Sequence, residues 1–368
     1  MVTVAVGVTG WVIARRLTQP RGAREFDLVI RDVVPDEGRD AIVLDRTSRT
    51  TAPGRYSLWL EYAGWVHLDE VVDASESTVT RAVAGDIPVG VRPGACASWS
   101  GIYYRDPEDA GLAACDIEIE TPAGPAPAWL IEPPGVERQY WAVHIHGLGS
   151  PRAGTLRGVQ VAVDAGLTSL VVTYRNDGEG PDVGSRRSTL GETETDDVRA
   201  ALRYAIARGA QRIALFGWSM GAAIALQLSA EAAFRDVVDL LILESPVLDW
   251  QATINANCAR AGLPSWFGFF ARPWLTTRAL GRLVGLDGAV PLRKFSWLDR
   301  AAELRVPTLI LHGRADTSAP YGISRRLAEL RPDLVQLETF DADHTMTWNS
   351  EPERWQRLVR ERITRRGD

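Results

Sequence analysis

Residues 212–226 read Arg212-Ile213-Ala214-Leu215-Phe216-Gly217-Trp218-Ser219-Met220-Gly221-Ala222-Ala223-Ile224-Ala225-Leu226. An apolar run short enough for a buried strand leads in, and an alanine-rich apolar run that suits a helix leads out. Between them stands Gly217-Trp218-Ser219-Met220-Gly221, a G-x-S-x-G pattern. In a strand–turn–helix context this spacing places the serine in a sharp, strained turn with its side chain above the sheet. Bulky residues two positions either side of it would collide there, so both positions are glycine. Ala222 and Ala223 let the helix approach the strands, and its first N–H groups point at whatever reacts at Ser219. The bland alternative is a tight turn with an incidental serine, and partners elsewhere in the chain decide between the two.

A serine hydroxyl is a weak nucleophile until a base takes its proton, and an acid must hold that base in one tautomer. His312-Gly313-Arg314-Ala315-Asp316 closes the apolar run PTLILHG (307–313), and Asp343-His344 follows LVQLETF (334–340). The order Ser219, Asp316, His344 is the one expected of this strand–turn–helix architecture, and each residue falls at the C-terminal end of a strand. Asp249 is the second candidate for the acid, because it and Glu244 follow the strand after the serine helix. Asp343 is disfavoured, since a sequence neighbour points away from the imidazole more often than toward it. Acyl transfer also needs two N–H donors for a developing oxyanion. The backbone of Met220 is one, and Leu148, in the loop of His144-Ile145-His146-Gly147-Leu148-Gly149, is the other. His144 and His146 share a strand face, which could suggest metal. With no third ligand nearby they read as structural support for that loop. His67 has no sequence partner and reads as an ordinary histidine.

From about residue 138 the chain alternates strands and helices, implying a mostly parallel sheet flanked by helices. The strands are YWAVHIH (140–146), SLVVTY (169–174), RIALFG (212–217), LLILES (240–245) and the two runs near Asp316 and His344. Their continuous apolar character fits burial on both faces. A helix is expected over 195–208, and Ser350-Glu351-Pro352-Glu353 reads as a capping box. About 250–305 forms an insertion rich in aromatics (Trp266, Phe267, Phe269, Phe270, Trp274), as a helical lid over a pocket would be. Trp218, Asp177, Trp266 and Phe270 are therefore candidates for substrate contact. Upstream, FDLVIRDVV (26–34), AIVLD (41–45), YSLWLEY (56–62), WVHLDEVV (65–72) and STVTRAVA (77–84) alternate with period two, an antiparallel β signature. The expected organisation is a 1–24 apolar segment, a β-rich 25–112 and a catalytic 113–368, with the β-rich part shaping an entrance or binding a partner.

The chain has 368 residues, a formal net charge of −6 and 45% hydrophobic residues. A large core is affordable, and the acidic balance lacks a basic nucleic-acid footprint. Three cysteines, Cys96, Cys115 and Cys258, show no metal spacing and suit a reducing compartment; Cys96 and Cys115 could form a bridge but read better as two ordinary buried thiols. The apolar run 2–14 is too short to span a bilayer, which needs roughly 20 residues. It reads as a first element packed on the body, or as a membrane anchor truncated by the start position. The corresponding locations are cytoplasmic and membrane-associated.

Taken together, His146-Gly147, Tyr174-Arg175-Asn176-Asp177, Gly217 through Gly221, Ser245-Pro246, His312-Gly313 through Asp316 and Asp343-His344 resemble the α/β-hydrolase superfamily. The likeness covers roughly residues 115–365. It is strongest to the prolyl-oligopeptidase-like and dienelactone-hydrolase-like branches and to uncharacterised bacterial serine hydrolases. The resemblance implies a triad of Ser219, Asp316 and His344, oxyanion donors at Met220 and Leu148, and no cofactor. Residues 1–110 resemble no known family and are too short for the β-propeller that prolyl-oligopeptidase relatives often carry. The motifs specify a fold far better than a substrate. The expected activity is hydrolysis of a carboxylic ester or related acyl compound. A serine peptidase is the second reading, and a binding protein that kept the fold, or an N-terminal adaptor carrying the hydrolase, the readings of other classes.

Overall fold

The computed structural model describes residues 2–36, 39–62, 64–135 and 139–365. Two sheets organise them. The first is antiparallel throughout and has seven strands: β1 (Leu28–Val29), β2 (Asp32–Asp36), β3 (Arg39–Asp45), β4 (Tyr56–Leu60), β5 (Trp65–Ala74), β6 (Thr78–Ala84) and β7 (Cys96–Ser100). Alternate residues of these strands, such as Ile42, Leu44, Leu58, Leu68, Val79 and Val83, share one apolar cluster, as period-two patterning demands. The run expected as one strand over 26–34 is two, because Ile30 and Arg31 leave the ladder to bond Ala95 and Val43 separately.

The second sheet has eight strands: β8 (Ala114–Thr121), β9 (Gly124–Ile131), β10 (Tyr140–Ile145), β11 (Thr168–Val172), β12 (Arg212–Trp218), β13 (Val238–Glu244), β14 (Thr308–Gly313) and β15 (Val335–Phe340), in the order β15-β14-β13-β12-β10-β11-β9-β8. From β11 to β15 the pairing is parallel, while β8 and β9 add an antiparallel edge. Side chains of β12 alternate between two cores: Ile213 and Leu215 enter one, Ala214, Phe216 and Trp218 the other. The sheet is thus covered on both faces, which is why its strands read as unbroken apolar runs. This is the α/β-hydrolase fold with a β-rich N-terminal part.

The helices are α1 (Val2–Leu17), α2 (Leu156–Asp164), α3 (Glu194–Ala207), α4 (Met220–Ala230), α5 (Trp250–Arg260), α6 (Gly268–Thr276), α7 (Arg278–Val284), α8 (Tyr321–Leu330), α9 (Thr347–Ser350) and α10 (Pro352–Thr364). Helix α4 is buried from Met220 through Ser229, so it carries no polar stripe. In α3, Glu194, Asp196 and Asp197 occupy the first turn, where the helix dipole favours acids. The capping box does not form: α10 starts at Pro352, its cap Glu351 makes no side-chain cap bond, and Ser350 Oγ turns back to Thr347 O.

The apolar N-terminal run is the helix α1, packed on α6. Its Gly10 lies so near the Phe270 carbonyl that a methyl group there would sit 2.0 Å from the oxygen. Among the described residues no helix is long and apolar enough to cross a membrane. All three cysteines are free, and contrary to the buried-thiol expectation Cys115 is exposed and Cys96 half-buried.

Asn349, fully buried, joins the two sheets. Its Nδ2 donates to Arg55 O (2.7 Å) and Gly101 O (2.9 Å), and its own carbonyl accepts Arg55 N–H (2.8 Å). Its Oδ1 accepts from Arg157 Nη1 (2.8 Å).

Candidate active site

Strand order puts β12 and β11 on opposite sides of β10, so the chain reverses direction across the sheet between β10 and β12. Open α/β sheets bind ligands at such switch points, beyond the carboxyl ends of the strands. Ser219 follows β12 there, and the Gly147 loop follows β10.

Ser219 has φ 52° and ψ −113°, a backbone conformation that costs of order 1–3 kcal/mol and persists only where its surroundings impose it. The surroundings are visible. Ser219 N–H donates to Glu244 O, and Val247 N–H to Ser219 O (3.0 and 3.1 Å). A methyl group on Gly221 would lie 2.1 Å from Ile145 O, and one on Gly217 2.5 Å from Ala222 Cα. The glycines thus let β10, β12 and α4 meet at distances that no side chain permits.

His344 Nε2 lies 2.9 Å from Ser219 Oγ, and His344 Nδ1 2.8 Å from Asp316 Oδ2. Asp316 is saturated: Oδ1 accepts the backbone N–H groups of Ser318 (2.9 Å) and Ala319 (2.7 Å), and Oδ2 also meets His312 Nε2 (3.0 Å). Burial pushes the Asp316 carboxyl up, but the hydrogen bonds of His312 and His344 outweigh it and hold the group below the usual carboxylate range. A permanently ionised carboxylate keeps the proton on His344 Nδ1 and leaves Nε2 free to accept from Ser219. The sequence placed Ser219, Asp316 and His344 together, and they are together.

The rival acids point elsewhere. Glu244 accepts from Trp218 Nε1 (2.9 Å) and Thr347 N–H (3.1 Å). Asp249 caps α5 by accepting from Ala252 N–H (2.8 Å). Asp343 accepts from Thr317 and from the His344 backbone. Ser245, from the Ser245-Pro246 pair, accepts Thr345 N–H at 3.0 Å and so fixes the residue after the imidazole.

Gly147, just past β10, comes close to the serine: a methyl group on it would lie 3.1 Å from Ser219 Cβ. Met220 opens α4, so its N–H has no acceptor within the helix, and the Leu148 N–H bonds no acceptor among the described residues. The loop is held by His146, whose Nδ1 faces Gly147 O (3.0 Å) and whose Nε2 faces Asp177 Oδ2 (2.9 Å). His144 does something else. It is wholly buried, packs on Phe216 and bonds Ser169 Oγ (3.2 Å), and burial drops its pKa to about 3. Among the described residues no three His, Cys, Asp or Glu side chains gather as metal ligands would.

A cleft of about 290 Å³ holds Ser219, His344, Gly147 and Leu148. Trp218 lines it, as expected. Asp177 does not: it is buried, with Oδ1 and Oδ2 accepting Gly180 N–H and Tyr174 N–H, so it ties down the turn after β11. Trp266 and Phe270 do not either; Trp266 is 55% exposed and Phe270 lies against α1, and no residue of 250–305 lines this cleft among those described. The walls that sequence reasoning missed are Trp99, Ser100, Gly101 and Ile102, at the end of β7, with Arg157 and Met346. Arg157 was legible only as one more arginine, yet it is buried and donates to Thr345 O and Asn349 Oδ1 (2.8 Å each). His67, expected to lack partners, faces Asp109 (3.1 Å) and Trp65 Nε1 (2.9 Å).

Residues 29–100, which resembled no family, match a domain of unknown function (DUF8805). No curated protein matches the chain. Among solved structures, the Pyrococcus furiosus esterase Pf2001 is 22% identical, with 71% of this chain and 95% of that one covered at a TM-score of 0.54. The Pyrobaculum calidifontis esterase is 17% identical over 69% and 86% at 0.49. A Xanthomonas campestris serine hydrolase without lid is 19% identical over 68% and 94% at 0.46. Residues 142–359, more than half of the sequence, match the alpha/beta hydrolase family, and the chain therefore belongs to that family.

Proposed function

We propose that the chain is a serine hydrolase that cleaves a carboxylic ester through an acyl-enzyme. The observation that carries this reading is the continuous Ser219–His344–Asp316 hydrogen-bond relay opening into a cleft. Ser219 Oγ attacks the acyl carbon while His344 Nε2 takes its proton. The N–H groups of Met220 and Leu148 receive the oxyanion, and each such donor supports about 10²–10³-fold in turnover. His344 then returns the proton to the leaving alcohol, and water repeats the sequence to free the acid. Asp316 holds the imidazole and stabilises its charged form without taking the proton. The structurally similar Pyrococcus furiosus protein is an esterase, which accords with the ester reading.

The test is turnover on matched short-chain aryl esters and peptide anilides by the parent protein and Ser219→Ala. Ester turnover by the parent and a loss on the order of a million-fold in the variant are expected. Turnover that survives in Ser219→Ala removes the proposal. Anilide turnover exceeding ester turnover moves it to a peptidase.

A further inference from the structure

Beyond Leu148 lies a second and larger cavity, of about 540 Å³, and Ser100, Ile102, Leu148 and Gly149 line both it and the cleft at Ser219. The far wall is the segment after α1. Thr18 O accepts Ser188 N–H, Arg21 packs on Gly178, and Arg24 lies 4.3 Å over the ring of Trp59 in β4. This segment therefore stretches from the hydrolase body to the N-terminal sheet and closes the cavity between them.

The wall chemistry is one-sided. Among the described residues lining the cavity, four are arginines, Arg16, Arg21, Arg24 and Arg49, and two are carboxylates, Asp27 and Glu25. Asp27 is taken by Arg49 at 2.6 Å. Arg16, Arg21 and Arg24 have no carboxylate partner among the described residues. Burial, together with the neighbouring Arg21, lowers the pKa of Arg24, as happens where cations crowd without a counter-charge. In a chain of net charge −6, such a cluster, in a cavity that shares a wall with the cleft at Ser219, is a built-in attraction for one kind of ligand. Guanidinium groups pair carboxylate and phosphate oxygens with two parallel bonds, which gives orientation as well as attraction.

We propose that the substrate is an ester bearing an anionic group, carboxylate or phosphate, which sits among Arg16, Arg21 and Arg24 while the ester lies at Ser219. The inference rests on the serine-hydrolase reading and adds its substrate class. Its test uses aryl esters with a terminal carboxylate on the acyl side, esters with a carboxylate or phosphate on the alcohol side, and the methyl-capped neutral partner of each. The readout is the ratio of kcat/KM for charged over neutral ester. The parent protein is expected to favour a charged member at least ~10-fold at low salt, with the preference shrinking at ~0.5 M salt as exposed charges are screened. In an Arg21→Gln/Arg24→Gln variant the ratio should fall below ~3-fold, the size expected once the charge-assisted bonds are gone. Equal rates on both members in every series, or a preference that survives in the double variant, overturn the inference. If Ser219 reacts with a fluorophosphonate while the ratio stays near one, this inference alone fails. If there is neither labelling nor turnover, the serine-hydrolase reading fails with it.

Discussion

Replacing Asp316 by asparagine exposes the logic of the site, because the carboxylate faces four N–H donors and an amide offers one acceptor atom. In one orientation the amide oxygen takes the Oδ2 place, keeps His344 and His312, and turns an NH₂ group against the N–H groups of Ser318 and Ala319. Those backbone donors cannot move. In the other orientation the oxygen stays with the backbone and the NH₂ faces the two imidazoles. His344 can answer by moving its proton from Nδ1 to Nε2, so the second orientation wins. His312 cannot answer so easily, since its Nε2 also faces Ala319 O (3.0 Å), which only accepts. One mismatched buried contact costs about 1–3 kcal/mol of stability. The catalytic cost is larger: with the proton on Nε2, His344 can no longer accept from Ser219, and a wrong-tautomer imidazole costs about 10⁴ in kcat. Ester turnover and urea unfolding of Asp316→Asn measure both. Asp249→Asn is the control, because asparagine keeps the cap on Ala252 N–H and turnover should hold within a few-fold. A kcat within ~10-fold of the parent in a folded Asp316→Asn, against the ~10⁴ expected, refutes the reasoning, as does a larger loss in Asp249→Asn.

Other expectations follow from the same contacts. His144 is neutral when folded, with a pKa near 3 against an ordinary value of 6.5, so only the unfolded chain binds its proton as pH falls below 6.5. Stability should therefore drop with acid, by about 2 kcal/mol between pH 7 and pH 5 from this group, and urea titrations of His144→Gln should lack that part of the slope. A Gly221→Ala methyl group would lie 2.1 Å from Ile145 O, so the strand end or the serine must shift, and loss of about 1–3 kcal/mol together with most ester turnover is expected. Asn349→Ala leaves the buried Arg157 Nη1 and the half-buried Arg55 O and Gly101 O without their partner, and loss of about 1–3 kcal/mol of urea stability is expected, chiefly from the arginine.

The elbow was legible because its constraints are local: an apolar run, two glycines and small residues in the helix all lie within a dozen positions. The three side chains of the hydrogen-bond relay were legible because each follows an apolar run within a few residues. Strand β9 was not foreseen, and its sequence GPAPAWLI explains why, since Pro125 and Pro127 argue against a paired strand. The structure resolves the conflict by pairing β11 only with residues 128–131, so neither proline is asked for an N–H on that side. Trp266 and Phe270 misled because aromatic content tells that a segment packs, not against what; α1 lies on Phe270, and the cleft is walled instead by Trp99 to Ile102. That wall comes from a different sheet, and the bonds that bring it there pass through Asn349 and Arg157, which no motif spacing marks.

The most direct measurement is the site of covalent capture by a fluorophosphonate, read by peptide mass spectrometry on the parent protein, Ser219→Ala and His344→Gln. The account predicts one adduct, on Ser219, absent from the first variant and slowed by orders of magnitude in the second. An adduct on another residue, or equal labelling of all three proteins, would contradict it.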